Sequence, residues 1–196
     1  ISKLFTFIVT GVTASMASLA GAMESNLMFA SDYRGEQLND DFMFSEKLDG
    51  IRAVWDGQQL TTRTGKRIHA PDDFISQLPA FAVEGELWVA RQRYQQVQQI
   101  VLDELPNELQ WRTVTFSIFD RLNTANPFID RYHSLLAWQK KQAISSQVAV
   151  VEQTRFASNE QLKAALDHII QLGGEGLIVR RASQVYLPGR SADLYK

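Results

Sequence analysis

Two stretches of this chain alternate strictly between residue classes, and they limit its fold more than any other feature. In 82–89 (AVEGELWV), Val83, Gly85, Leu87 and Val89 face one way, while Glu84, Glu86 and Trp88 face the other. In 113–120 (TVTFSIFD), Val114, Phe116 and Ile118 oppose Thr115, Ser117 and Phe119. A period of two over this length predicts strands with one face on a core. Residues 91–104 switch to helical spacing, with Tyr94, Val97, Ile100 and Val101 on one face. A helix is also read over 129–143, and the clearest one over 159–172. There Ser158 and Gln161 form a capping box, Leu162, Leu166, Ile169 and Ile170 make the apolar face, and Gly173 closes the helix. A strand follows at EGLIVRR (175–181). Asp56-Gly57, between IRAVW and QQLTTR, marks a β-hairpin, and Asp49-Gly50 marks a second tight turn just after Lys47. Residues 23–45 show no clear period and read as an extended lead-in. Strands with helices between them predict an α+β domain.

Residues 1–22 stand apart. Lys3 precedes an apolar run that ends in small residues, Ala20-Gly21-Ala22. That is the pattern of a secretory signal peptide cleaved near Ala22, which predicts a periplasmic protein with no stable membrane association after cleavage; the alternative is a membrane anchor, since the stretch has about the length to span a bilayer, though it is rich in Ala, Ser, Thr and Gly. The absence of cysteine excludes a disulfide framework and any Cys-based zinc site. Three scattered histidines, His69, His133 and His168, argue against a His-rich metal cage. The formal net charge is −2; without Lys3 the basic residues fall from 20 to 19 against 22 acids, which leaves −3. An acidic total does not suit a nucleic-acid binder unless basic residues gather on one face. They do cluster in sequence: Lys47, Arg52, Arg63, Lys66 and Arg67, then Arg180, Arg181, Arg190 and Lys196.

The segment 47–52, KLDGIR, is the first with chemistry in it. A lysine amine bonds to phosphorus only when neutral, and nearby positive charge, from Arg52 or a metal ion, favours that form. Glu86 in its alternating strand and Glu175 after Gly173-Gly174 are candidate carboxylates for a divalent cation on a triphosphate. Phe119, on the less apolar face of its strand, can stack on a purine. Arg63 in TTRTGKR can contact a nucleotide sugar or a phosphate. Each residue alone is as well explained by an ordinary structural role.

Taken in order, the set is KLDGIR (47–52), TRTG (62–65), EGEL (84–87), FSIFD (116–120), EGLIVR (175–180) and PGRSADLYK ending at Lys196. This resembles the ordered motifs of ATP-dependent DNA ligases and their nucleotidyltransferase relatives, from about residue 44 to 196. The resemblance implies an ATP-grasp-like nucleotidyltransferase (adenylation) domain over 23–196, with antiparallel sheets flanked by helices. It implies that Lys47 attacks the α-phosphorus of ATP and carries AMP. Arg52 and Arg63 would contact the nucleotide or nick phosphate, Phe119 would stack on adenine, and Lys196 would touch the α-phosphate. Glu86 and Glu175 would support ribose and metal binding, with Mg2+ as the ion and Mn2+ as a substitute, and Arg190 would touch DNA. The partners implied are ATP and nicked double-stranded DNA, bound by a monomer that serves repair, replication or recombination. Arginine at position 52 favours ATP over NAD. The leader and the small size resemble minimal periplasmic bacterial ligases.

The sequence departs from the family pattern at Lys196, where a K-x-K motif would continue and an OB-fold domain would follow. On this reading the chain is a domain fragment or a truncated product, with weak self-adenylation and poor nick sealing. Three other readings remain open: an RNA ligase or capping-type nucleotidyltransferase, a non-catalytic nucleotide- or DNA-binding remnant, and a generic α+β domain with coincidental motifs.

Overall fold

The computed structural model describes residues 26–142 and 147–196, so the segment read as a signal peptide lies outside the described residues. The strands are β1 (Met28–Ser31), β2 (Phe42–Glu46), β3 (Ile51–Trp55), β4 (Leu60–Thr62), β5 (Val83–Trp88), β6 (Thr115–Arg121), β7 (Val148–Val150), β8 (Thr154–Arg155), β9 (Leu177–Arg181) and β10 (Gly189–Tyr195). The helices are α1 (Asp72–Ile75), α2 (Tyr94–Val101), α3 (Glu108–Trp111), α4 (Phe128–Gln139) and α5 (Asn159–Gln171).

The strands form two five-stranded sheets, in the orders β1-β10-β9-β2-β8 and β4-β3-β5-β6-β7. Most neighbours are antiparallel, as expected, but each sheet also carries one parallel pair, β1 with β10 and β6 with β7. The predicted hairpin at Asp56-Gly57 joins β3 to β4, with Gly57 at φ +104°. Asp49-Gly50 behaves differently. Strands β2 and β3 do not pair: β2 belongs to the first sheet and β3 to the second. Residues 47–50 are therefore the passage from one sheet to the other.

The segment 23–45 is not a plain lead-in, because it contains β1 and β2. Strand β2 (FMFSE) shows no alternation because both of its faces are covered. Phe42 packs with Phe156, Val179 and Tyr195, while Met43 on the opposite face packs with Phe128, Tyr132 and Ala182. A strand buried on both sides reads as an apolar run. Helix α5 departs from expectation in the other sense. Its cap is as predicted: the Ser158 side chain accepts from Gln161 N, and Gln161 Oε1 accepts from Ala157 N. Yet none of its residues is fully buried, and Leu166 and Ile170 are 39% and 51% exposed. Only Leu162 reaches the Phe42 cluster.

The main core lies under the second sheet. Ala53, Val83, Leu87, Phe116 and Ile118 meet Val97, Ile100 and Val101 of α2, and Trp111 packs edge-on to Phe74 at 4.8 Å. Burying each large side chain contributes about 1.5–3 kcal/mol. One link between the two sheets is ionic. Asp120 on β6 is fully buried and accepts from Arg131 Nε (2.7 Å) and Nη2 (3.0 Å) on α4, and from Arg180 Nη1 (2.7 Å) on β9. One carboxylate of the second sheet thus holds helix α4 and a strand of the first sheet.

Removing that charge leaves two buried guanidiniums sharing a neutral group. Asp120→Asn is expected to cost about 3–5 kcal/mol of stability, measured by urea unfolding. A loss under about 1 kcal/mol would show that the ion pair does not hold the sheets together.

Candidate active site

A cavity of about 390 Å³ opens between the two sheets, within the roughly 300–1,000 Å³ usual for small-molecule sites. The first sheet supplies Met28, Phe29 and Ala30, then Ser45, Glu46, Ile178, Arg180, Arg190 and Leu194; the second supplies Arg52, Glu86 and Phe119. Lys47 and Leu48 enter from the crossing, and Arg63 and Lys196 stand at strand ends. Seven of the eight residues singled out from the sequence therefore line one space: Lys47, Arg52, Arg63, Glu86, Phe119, Arg190 and Lys196. Glu175 does not. It lines a smaller adjoining cavity of about 100 Å³, together with Asp49, Trp88, Arg91, Gln92, Gly173 and Gly174. Glu46 and Lys47 line both cavities, and the Lys47 ammonium pairs with the Glu175 carboxylate.

The position of Lys47 follows from the crossing. Its N–H donates to Gly176 O at 2.9 Å, which extends the β2–β9 ladder by one bond before the chain leaves the sheet. Gly50 then lies so close to β5 that a Cβ there would meet Leu87 O at 2.2 Å. Its own N–H donates to Glu86 Oε1 at 3.1 Å. The sequence K-x-D-G thus presents the amine by pressing a glycine against the neighbouring strand, rather than by closing a hairpin.

Phe119 is placed by a β-bulge. Glu84 pairs with Asp120 and Gly85 with Ile118, so Phe119 between them has no counterpart across the ladder. A bulge re-aims the side chain at that point, and Phe119 faces the cavity. Gly85 is needed opposite, where a Cβ would stand 2.6 Å from Ser117 O and 2.9 Å from Ile118 Cα. The Arg52 guanidinium lies 5.2 Å from the Phe29 ring centroid and 5.5 Å from that of Phe119. Its Nε and Nη2 donate to Glu84 Oε2 at 3.2 and 2.5 Å. Burial acts to lower the Arg52 pKa, but the Glu84 carboxylate outweighs it and the net shift is upward, so the arginine stays charged.

Arg190 Nη1 donates to Ala30 O at 2.7 Å, and Lys196 Nζ lies 3.3 Å from Asp32 Oδ1. Sequence reasoning missed Phe29 and Glu46. Phe29 sits on β1, where no period was legible. Glu46 is clamped by Arg91, whose Nε and Nη2 each donate at 2.8 Å. Arg180 counted only as one of a basic cluster, although it lines the cavity from its place beside Asp120. Among the described residues no group of three or more His, Cys, Asp or Glu is arranged to hold a metal ion. None of the described helices is long and apolar enough to cross a membrane.

Burial pushes the Glu86 carboxyl from its ordinary 4.5 up to about 8, against the pull of Arg52, the Gly50 N–H and Lys47. A carboxyl whose folded pKa is raised contributes stability that is fully present below pH 4.5 and lost as pH rises towards 8. Between those limits wild type is expected to lose roughly 2–4 kcal/mol relative to Glu86→Gln. Chemical unfolding of both proteins across that range tests this, and a constant difference between them would refute it.

The family model for the ATP dependent DNA ligase domain matches residues 27–196. A DNA ligase of Haemophilus influenzae is 29% identical over 180 residues, covering 92% of this chain and 66% of that protein. The chain therefore spans just under two thirds of that relative's length. A solved structure from a structure-function analysis of Lig E DNA ligases superposes with a TM-score of 0.82 at 35% identity, over 87% of this chain and 67% of the other. Chlorella virus DNA ligase-adenylate shares the fold with a TM-score of 0.73 at 20% identity, over 88% and 66% of the two chains. With the motif residues gathered around one cavity between two sheets, the chain belongs to the ATP-dependent DNA ligase family, and 27–196 is its adenylation domain.

Proposed function

We propose that this domain moves adenylate from ATP to Lys47 and then to the 5′-phosphate of a nick in double-stranded DNA, which the 3′-hydroxyl finally displaces to seal the strand. The observation that carries this reading is the place of Lys47: it stands at the sheet crossing, on the wall shared by a purine-sized cavity and a smaller acidic one.

Phe119 and Phe29 offer aromatic faces for adenine, with Arg52 between them. In the first step the Lys47 nitrogen forms a bond to the α-phosphorus, and the bond to the pyrophosphate oxygen breaks. The nitrogen needs its lone pair, so the ion pair with Glu175 must open and a proton must leave. Arg63, Arg180, Arg190 and Lys196 supply positive charge around the phosphates. Glu175, which pairs with Lys47, and Glu86, which lines the larger cavity with it, suit Mg2+, or Mn2+ in its place; such an ion takes one or two protein carboxylates and completes its shell with phosphate oxygens and water. When bound it would neutralise charge on the triphosphate. Glu175 can serve only after releasing Lys47, so opening the ion pair would free the nucleophile and the ligand together.

The charge pattern supports a polyanionic substrate. Six basic and two acidic residues line the larger cavity of a protein whose formal net charge is −2. The domain acts as a monomer, and the leader pattern of residues 1–22 supports export to the periplasm.

Incubation with ATP labelled on the α-phosphate and Mg2+ is expected to leave one AMP on the protein, and Lys47→Ala to carry none. Equal labelling of both would refute the role of Lys47. Phe119→Ala is expected to raise the KM for ATP about tenfold or more, since base–aromatic stacking contributes about 1–3 kcal/mol. An unchanged KM would remove Phe119 from the adenine site. Comparing duplexes nicked in DNA and in RNA tests the DNA assignment, and preferential sealing of RNA would overturn it.

A further inference from the structure

Arg52 is held in a closed ring of hydrogen bonds, and one member of that ring is a tyrosine 134 residues away in sequence. Tyr186 lies in the segment between β9 and β10. Its hydroxyl donates to Glu84 Oε1 at 3.1 Å and accepts from Met28 N at 3.1 Å. Glu84 Oε2 accepts both Arg52 bonds, and Arg52 Nη2 also donates to Met28 O at 2.9 Å. Tyr186, Glu84, Arg52 and the two ends of Met28 therefore close on one another. The ring ties together β1, β3, β5 and the segment leading to β10.

From this geometry we infer that Tyr186 is a positioning residue for adenylate transfer, acting through Glu84 on Arg52. Each Glu84 oxygen is committed to one side of the ring, so the carboxylate cannot rotate without breaking a bond. With Glu84 fixed, the guanidinium has one orientation between Phe29 and Phe119. Burial first, and Glu84 second, push the Tyr186 pKa upward, so the hydroxyl remains a donor at every working pH. The tyrosine is itself fixed from below: its ring faces the Arg131 guanidinium at 5.7 Å, and Arg131 Nη1 donates to Gln184 O at 3.1 Å. The same segment runs on through Gly189, at φ +93°, into Arg190 on the cavity wall. Arg52 and Arg190 are thereby set by one piece of chain. This inference rests on the proposed transfer to Lys47 only for its kinetic readout.

The test is a double-mutant cycle between Tyr186→Phe and Arg52→Lys. Tyr186→Phe removes one oxygen and leaves Glu84 Oε1 and Met28 N without their partner. It is expected to slow AMP attachment at saturating ATP about tenfold, with less than about a threefold change in KM. In the Arg52→Lys background the same change is expected to cost less than about twofold, because the fork that Tyr186 orients is gone. A second readout needs no catalysis. The Arg52 Nε–H nitrogen–proton resonance reports its bond to Glu84, and Tyr186→Phe is expected to shift it. If Phe unfolds the chain, 3-fluorotyrosine at 186, which keeps the ring and hydroxyl but strengthens the donor, is expected to shift the same resonance. Additive rate effects with an unmoved resonance would overturn the inference while leaving the AMP chemistry intact. A wild-type chain that takes no AMP, together with an Arg52 resonance that shifts in Tyr186→Phe, would overturn the proposed function and uphold the ring.

Discussion

Asp120 is the point on which the rest of the molecule turns. It belongs to the second sheet, yet its two oxygens take Arg131 from α4 and Arg180 from the first sheet. Three charged groups withdrawn from water are tolerable only because every one of them is paired, and the geometry of the pairing leaves little freedom. Arg180 also stacks against Phe128 at 4.4 Å, and Arg131 donates to Asn126 O and Gln184 O. Asp120 thus joins the two sheets without itself lining the cavity between them.

The functional side chains are displayed by departures from regular sheet, not by the sheet itself. Lys47 stands where the chain changes sheets, Phe119 where the β5–β6 ladder slips by one residue, and Arg190 just after a glycine with positive φ. Each departure has a glycine beside it or opposite. At Gly50 and Gly85 the reason is steric, because neighbouring backbone atoms occupy the space a Cβ would need. The familiar motif spacing therefore records close backbone approach as much as chemistry. K-x-D-G needs its glycine to lie on β5, and E-G-E needs its glycine to admit the bulge that carries Phe119.

Charge follows the same logic. Acids outnumber bases by 22 to 20 over the whole chain, yet the larger cavity is strongly basic. The acids that balance Arg52 and Arg180 are Glu84 and Asp120, both fully buried behind the wall. They hold the guanidiniums in place without presenting negative charge to the cavity. Of the two acids that do face it, Glu46 is paired with Arg91 and Glu86 is pushed towards its neutral form by burial.

The sequence by itself determined the local pieces. Alternation located β5 and β6, capping and helical spacing located α5, and Asp56-Gly57 located a hairpin, because these depend on neighbours within a few residues. The ordered motifs also marked seven residues that share one cavity. Only tertiary structure decided the rest. Strand β2 was illegible because both its faces are buried, and the apolar stripe on α5 promised a burial that the fold does not provide. Glu175, grouped with Glu86 as a carboxylate for the metal, lines the adjoining cavity and pairs with Lys47, a placement set by the sheet crossing. Asp120, Glu84 and Tyr186 drew no notice as functional residues, for their partners lie 11 to 158 residues away in sequence. A carboxylate's neighbours within its own strand say nothing about which distant guanidinium or hydroxyl will be brought against it, and that encounter exists only once the two sheets have met.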